Sequence, residues 1–286
     1  MRIETPSGFL HAGLLSPRDA SDDPRDRERF TDAHTDIDMR ACEFIRPAAV
    51  LWCAVYPMLA QARGSATRLL VPENLGVCVY LKSAGLFAAL QSAGVEVDER
   101  GVRSQDNRQI ILPVTRFHTE ADVEGLADVA LSALSDRGFG SANIHPIVSE
   151  SFAELALNAV QHSESEIGAL GLIQFYHWER GRQFICSVAD GGIGIRKSLE
   201  RNPQYRDAVP YDWTAIELAL QERVSGTTAP TRGIGLYGIA QDMRAPGRQM
   251  IIHSGLGMLS VSGDVEDQAQ RTVLFPGTLA SVSIPT

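Results

Sequence analysis

From Pro47 to Ala60 the chain runs for fourteen residues without one charged side chain. A segment of that kind has to be taken out of water, and there are few ways to do it. It falls short of the ~20 residues a helix needs to cross a bilayer. Its apolar residues follow helical spacing, and Gly64 supplies a natural stop. The segment is therefore read as a helix, Ala48–Arg63, buried in a protein core. A chain of 286 residues can bury such a helix without disulfides or metals. At roughly 100–200 residues per domain it is read as two domains.

The remaining composition is ordinary for a globular chain, with 44% apolar and 21% charged residues. A net charge of −9 and a pI near 5.3 leave no overall basic footprint, so no nucleic-acid partner is expected. Cys42, Cys53, Cys78 and Cys186 form no CxxC pair and no zinc spacing, and read as buried thiols of a reducing compartment. The stretch Met1–Gly13 has no apolar core of signal-peptide length. The expectation is a cytoplasmic protein with no membrane anchor.

Residues 1–35 are polar, carry Pro6, Pro17 and Pro24, and read as an arm or long loop with a short strand at Gly8–Leu15. Residues 36–112 differ in texture. Strand-like stretches at Asp36–Ile45, Thr67–Val71, Val95–Asp98 and Gln109–Leu112 alternate with the charge-free helix and with a second helix, Gly76–Ala93, broken near Gly85. The order β-α-β-α-β indicates a small α/β domain. Pro113–His118 reads as a hinge. In residues 113–286 helices come first, at Glu120–Ser135 behind an approximate capping box of Thr119 and Asp122, and at Pro146–Ser163. A hairpin follows, Gly168–Glu179 with Gln183–Asp190. Helices at Asp212–Arg223 and Gly235–Met243 precede strands at Gln249–Ser254, Met258–Gly263 and Thr278–Ile284. Helices first and hairpin strands last indicate an α+β sandwich.

Three separated motifs carry chemistry. On the helix 146–163, Glu150, Glu154, Asn158 and His162 recur at every fourth position and share a face. An amide oxygen and a carboxylate one turn apart suit a hydrated Mg²⁺ with a proton acceptor beside it, and a solvated helix face has the same composition. The second motif, Asp190-Gly-Gly192-Ile-Gly194, follows the apolar strand Phe184–Val188. An Asp at a strand end can accept from an exocyclic amine, and glycines beside it admit a flat ring; a plain glycine turn is the other reading. The third, Gly233-Ile-Gly235-Leu-Tyr-Gly238, opens a helix whose free N–H groups can bind phosphate oxygens. The GxGxxG spacing also belongs to dinucleotide folds, which need a strand before it and an acid about twenty residues after it. Here a loop, Gly226–Arg232, precedes it, and the later position is Met258. No Walker A sequence is present.

Taken in order, Glu154-Leu-Ala-Leu-Asn158, then Asp190 with its glycines, then Arg232-Gly-Ile-Gly-Leu-Tyr-Gly, then Pro276-Gly277-Thr278 before a last strand resemble the GHKL ATP-binding fold. That superfamily includes histidine kinases, gyrase B, heat-shock chaperones, MutL and the anti-sigma serine kinases. The resemblance covers about residues 115–286. It implies a Bergerat-type α/β sandwich with a mixed sheet under helices, and ATP and Mg²⁺ as cofactors. It implies that Asn158 holds Mg²⁺ and that Asp190 takes the adenine amino group. Gly192 and Gly194 would line the adenine pocket, and Thr278 would support that end by hydrogen bonding. Arg232, Gly233, Gly235, Leu236 and Gly238 would surround the phosphates under a lid between Gly194 and Gly233. The lid helix with Trp213 and Leu218 and the loop Ser225–Thr231 are the parts expected to move. Residues 36–112 resemble a STAS domain, the fold of anti-sigma-factor antagonists; an unrelated small α/β domain fits the same pattern. Where that family carries a phosphorylatable Ser or Thr, this chain has Arg46-Pro-Ala-Ala-Val50.

Three activities fit the resemblance. One is a serine/threonine protein kinase of the anti-sigma type, a bacterial signalling protein acting on a separate protein partner such as a STAS-type protein, with Glu154 as general base. Another is an ATPase switch in which Glu154 activates water and lid closure drives homodimer formation. The third is a nucleotide-gated binding module with little catalysis. A histidine kinase proper is disfavoured, because His118 stands only 36 residues before Glu154, too few for a two-helix phosphoacceptor hairpin.

Overall fold

The charge-free segment forms helix α1 (Pro47–Ala62), and all but three of its sixteen residues are buried. A helix that is apolar all round needs cover on every side. In the computed structural model, which describes residues 2–4, 8–9, 34–178, 181–226 and 235–286, that cover comes from two sheets.

One sheet is parallel. Strands β1 (Arg2–Glu4), β3 (His34–Asp38), β5 (Ala66–Leu70) and β6 (Glu96–Val97) lie in the order β1-β3-β5-β6. A separate parallel pair joins β2 (Gly8–Phe9) to β4 (Phe44–Ile45). Parallel neighbours need crossovers. α1 supplies the one from β3 to β5, and α2 (Leu75–Ser83) with α3 (Leu86–Ser92) supplies the next. Asn74 caps α2 by accepting from the Val77 N–H at 3.2 Å. Gly85, at φ +85°, breaks the helix pair as expected. Burial alternates along these strands. Thr35, Ile37, Thr67 and Leu69 are buried, whereas Asp36 and Arg68 pair in register on the other face at 3.1 Å.

The other sheet has five strands in the order β10-β11-β9-β8-β7: β7 (Ile110–Phe117), β8 (Ala169–Trp178), β9 (Gly181–Asp190), β10 (Gln249–Ser262) and β11 (Gln268–Pro285). α1 covers one face of it, packing on β8, β9 and β11. The opposite face carries α4 (Glu120–Arg137), α5 (Ile144–His162) and α8 (Gly235–Asp242). β9 is therefore buried on both sides. Phe184, Cys186 and Val188 join the core under α5, while Ala189 joins the core around α1. Polar links reinforce the α1 side: the Tyr56 hydroxyl donates to the Leu274 carbonyl, and Tyr80 Oη lies 2.8 Å from Gln174 Oε1. α6 (Gly194–Glu200) and α7 (Asp212–Ala219) form a small cluster of their own around Leu199, Val209 and Ala215.

The α+β class, the two helices of residues 120–163, the Thr119–Asp122 capping box and the hairpin are as expected. Other expectations are corrected. The sheet under the helices is not mixed, since each of its pairings is antiparallel. Pro113–His118 is no hinge; it continues β7 as far as Phe117. Pro113 is tolerated because β7 is an edge strand and its register shifts between Leu112 and Thr115. The two strands expected at 249–263 are one strand, with Gly255–Gly257 absorbed as an irregularity rather than a turn. α7 stops at Ala219, short of Arg223, and α6 was not anticipated. Residues 2–4 of the polar arm belong to the parallel sheet, while residues 5–7 and 10–33 lie outside the described ones. All four cysteines are buried thiols. Among the described residues no single helix is long and apolar enough to cross a membrane.

One hydrophobic cluster runs from the parallel sheet through α1 into the antiparallel one. The two sheets should therefore melt together. Leu59→Ala, at a fully buried α1 position, should cost about 2–5 kcal/mol. Scanning calorimetry should show one transition moving to lower temperature. Two separating transitions would show that the shared core does not couple the sheets.

Candidate functional site

A cavity of about 370 Å³ opens between α5, the end of β9, α6, α7 and the start of α8. Its wall brings together Glu154, Asn158, Asp190, Gly194, Gly235, Leu236 and Thr278, seven of the positions singled out in the sequence.

α5 contributes the polar stripe. Glu154, Asn158 and His162 reach the wall, whereas Glu150, one turn earlier, is exposed and off it. Asn158 Nδ2 donates to the Glu154 carbonyl at 2.8 Å, and Oδ1 has no partner among the described residues. The Glu154 carboxylate lies against the first residue of α8; a Cβ at Gly235 would overlap Glu154 Oε2. An anion at a helix N-terminus is favourably placed. A phosphate arriving at the same N–H groups would meet that carboxylate.

Asp190 ends β9 and is 3% exposed. Its Oδ1 accepts from the Gly192 N–H at 2.9 Å and the Thr278 N–H at 3.3 Å, and Oδ2 has no partner among the described residues. Burial pushes the carboxyl up to about 7, against the two N–H donors, which pull it down. Gly277, at φ +101°, allows this arrangement, because a Cβ there would overlap Asp190.

The other glycines divide by cause. Gly194 is on the wall at φ +76° and opens α6. Gly192 is not on the wall. A Cβ there would overlap the Ser163 carbonyl, so its smallness serves the packing of the turn on the end of α5. Ile193 N donates to that carbonyl at 2.8 Å, and Gly191 N donates to Ser165 Oγ at 3.2 Å. Gly238 is also off the wall, and a Cβ there would touch nothing within 4 Å. Arg232 and Gly233 lie outside the described residues, as does most of the loop Ser225–Thr231.

The segment expected to be a lid forms one wall, through Ile195, Ser198, Leu199, Ala219 and Val224. α7 is fastened to β10, because Asp212 Oδ2 accepts from the Leu256 N–H at 2.8 Å. Tyr211 and Trp213 stack at 4.5 Å beside that anchor. One residue of the neighbourhood had no signal in the sequence. Ser254, on β10 and 2% exposed, bonds Ile195 N, the Gly277 carbonyl and the Thr278 hydroxyl, all distant in the chain.

Among the described residues no group of three His, Cys, Asp or Glu could hold a metal ion. One neutral oxygen, Asn158 Oδ1, suits only a cation that arrives with phosphate oxygens and water. No protein-family model matches the chain, and no curated protein matches it.

Two buried titratable groups set opposite pH dependences. Asp190 has a folded pKa raised to about 7, so unfolding releases a proton between about pH 3.8 and 7, and stability falls as pH rises there. His253, fully buried with Nε2 donating to the Val273 carbonyl at 2.8 Å, is pushed down to about 4 by burial. Its unfolding takes up a proton between about pH 4 and 6.5, so stability rises with pH there. Each slope is about 1.4 kcal/mol per pH unit, and the two nearly cancel. Asp190→Asn keeps an acceptor for both N–H groups and removes one slope. Chemical denaturation should show that variant losing stability relative to wild type as pH falls from 6.5 to 4, and exceeding wild type at pH 8. Parallel curves for the two proteins would contradict the assignment.

Proposed function

We propose that the chain is a Mg²⁺–ATP-binding regulatory protein of the GHKL kind, acting as a serine/threonine kinase on a separate protein. The observation that carries this reading is the convergence on one cavity of polar groups from four distant segments: α5, the end of β9, the start of α8 and the Thr278 region of β11. Oδ2 of Asp190, on the cavity wall, suits an exocyclic amine. The N–H groups at the start of α8 suit phosphate oxygens, and Asn158 Oδ1 suits the cation that accompanies them. When bound, Mg²⁺ would offset phosphate charge. Glu154, exposed and on the same wall, is the group available to take a hydroxyl proton.

The covered turn at the start of α1 also bears on the partner. Arg46, Pro47 and Ala48 border a small recess with Ile185, Ile251 and Ser281 of the five-stranded sheet. That turn has no hydroxyl and faces its own chain, so the phosphoacceptor is sought on another protein.

The reading is tested by calorimetric titration with Mg²⁺–ADP and by transfer of labelled phosphate from ATP to proteins recovered with the chain. The ionised carboxylate accepts from an amine more strongly than the protonated acid does, so ADP affinity should rise towards pH 7 and then level off. Asp190→Asn should weaken binding by about 1–3 kcal/mol and remove the pH dependence. Asn158→Ala should abolish the dependence on Mg²⁺. Glu154→Gln should not lower affinity, because it removes a negative charge beside the phosphates, but it should slow transfer by about 10²–10⁴. Phosphate release without transfer would favour the ATPase alternative, and failure to bind any nucleotide would remove the reading altogether.

A further inference from the structure

Ser254 has one proton and two lone pairs, and three neighbours claim them. Its Oγ lies 3.0 Å from the Gly277 carbonyl, 2.9 Å from the Ile195 N–H and 3.2 Å from Thr278 Oγ1. The carbonyl can only accept, so the Ser254 proton goes there. The Ile195 N–H can only donate, so it takes one lone pair. The remaining contact closes only if Thr278 donates its own proton to the second lone pair. The hydroxyl of Thr278, a residue of the cavity wall, is thereby left as an acceptor. Its own backbone N–H is tied to Asp190 Oδ1 at 3.3 Å, so the two side chains are neighbours on the wall.

We propose that Ser254 is a specificity-determining positioning residue. By taking the Thr278 proton it gives this end of the cavity two acceptors, Asp190 Oδ2 and Thr278 Oγ1. Such a pair welcomes a 6-amino purine and repels a 6-oxo purine, whose oxygen would face two acceptors. This rests on the reading of the cavity as a nucleotide site, and it assigns the base selectivity of that site to a residue that does not touch the ligand. Ser254 does a second task with the same atom. Ile193, at the N-cap of α6, makes no side-chain cap bond, and Ser254 takes over by accepting from Ile195 N.

The test compares Mg²⁺–ADP with Mg²⁺–IDP, which carry amino and oxo groups at the same ring position, by calorimetry at pH 8. Wild type should prefer ADP. Ser254→Ala frees the Thr278 hydroxyl to rotate and donate, so the preference should narrow about tenfold, the worth of one hydrogen bond. Thr278→Val should narrow it similarly, and adding Ser254→Ala to Thr278→Val should change it no further, since Ser254 acts through Thr278. A merely structural role would lower both affinities together and would add to the Thr278→Val effect. Should the alanine variant not fold, Ser254→Cys, of nearly the same shape but a weak acceptor, replaces it with the same expectation. An unchanged ADP-to-IDP ratio in a folded Ser254 variant overturns this inference and leaves the nucleotide reading standing. Wild type that binds neither nucleotide overturns both.

Discussion

The burial of α1 between two sheets is the constraint from which the other features follow. A helix with no polar face makes both sheets present apolar residues to it, and it keeps the five-stranded sheet from facing water on either side. β9 is consequently dry along its C-terminal half, and Asp190 at its end is buried too. The contact is close at that point: a Cβ on Gly191 would stand 3.5 Å from Leu59 Cδ1 of α1 and 3.2 Å from Ile167. Helix α1 thus packs directly behind the turn that follows Asp190, on the far side of the sheet from the cavity.

The turn that carries Asp190 is also held from the side. It rests on the loop after α5, through the Ser163 carbonyl and Ser165 Oγ. Arginines from three elements grip that loop. Arg63, at the end of α1, reaches Glu166 at 3.4 Å; Arg116 of β7 donates to the Ile167 carbonyl at 2.6 Å; Arg201, at the end of α6, bonds Glu164 twice. Exposed ion pairs contribute little individually, but these act together on one short segment. They join the parallel-sheet unit, the antiparallel sheet and the cavity wall at a single place.

Local signals in the sequence were legible where the chemistry is local. Gly85 breaks a helix because of its backbone, Thr119 caps one through Asp122 three residues on, and the α5 stripe recurs with the helical repeat. The resemblance put Glu154, Asn158, Asp190, Gly235 and Thr278 into one expected site, and these residues line one cavity. What was hidden depends on partners far along the chain. Gly192 and Gly194 look alike in sequence, but one makes room for Ser163 and the other opens α6 on the wall. Ser254 sits in an ordinary strand and matters only because Ile195, Gly277 and Thr278 fold onto it. The run Gly255–Gly257 reads as a turn until Asp212 of α7 is seen to dock there. The fourteen apolar residues announced a core helix, but not that two sheets would share it.

That sharing limits how such a protein can be divided or recombined. A fragment beginning near residue 113 would keep most of the cavity but lose α1, leaving Leu170, Leu172, Ala189, Phe275 and Leu279 as a bare apolar wall. A wall of that kind seeks another cover. The cavity-bearing unit of this chain is therefore not a portable module: inheritance, shuffling or dissection has to carry the N-terminal unit with it, or supply a substitute for one helix.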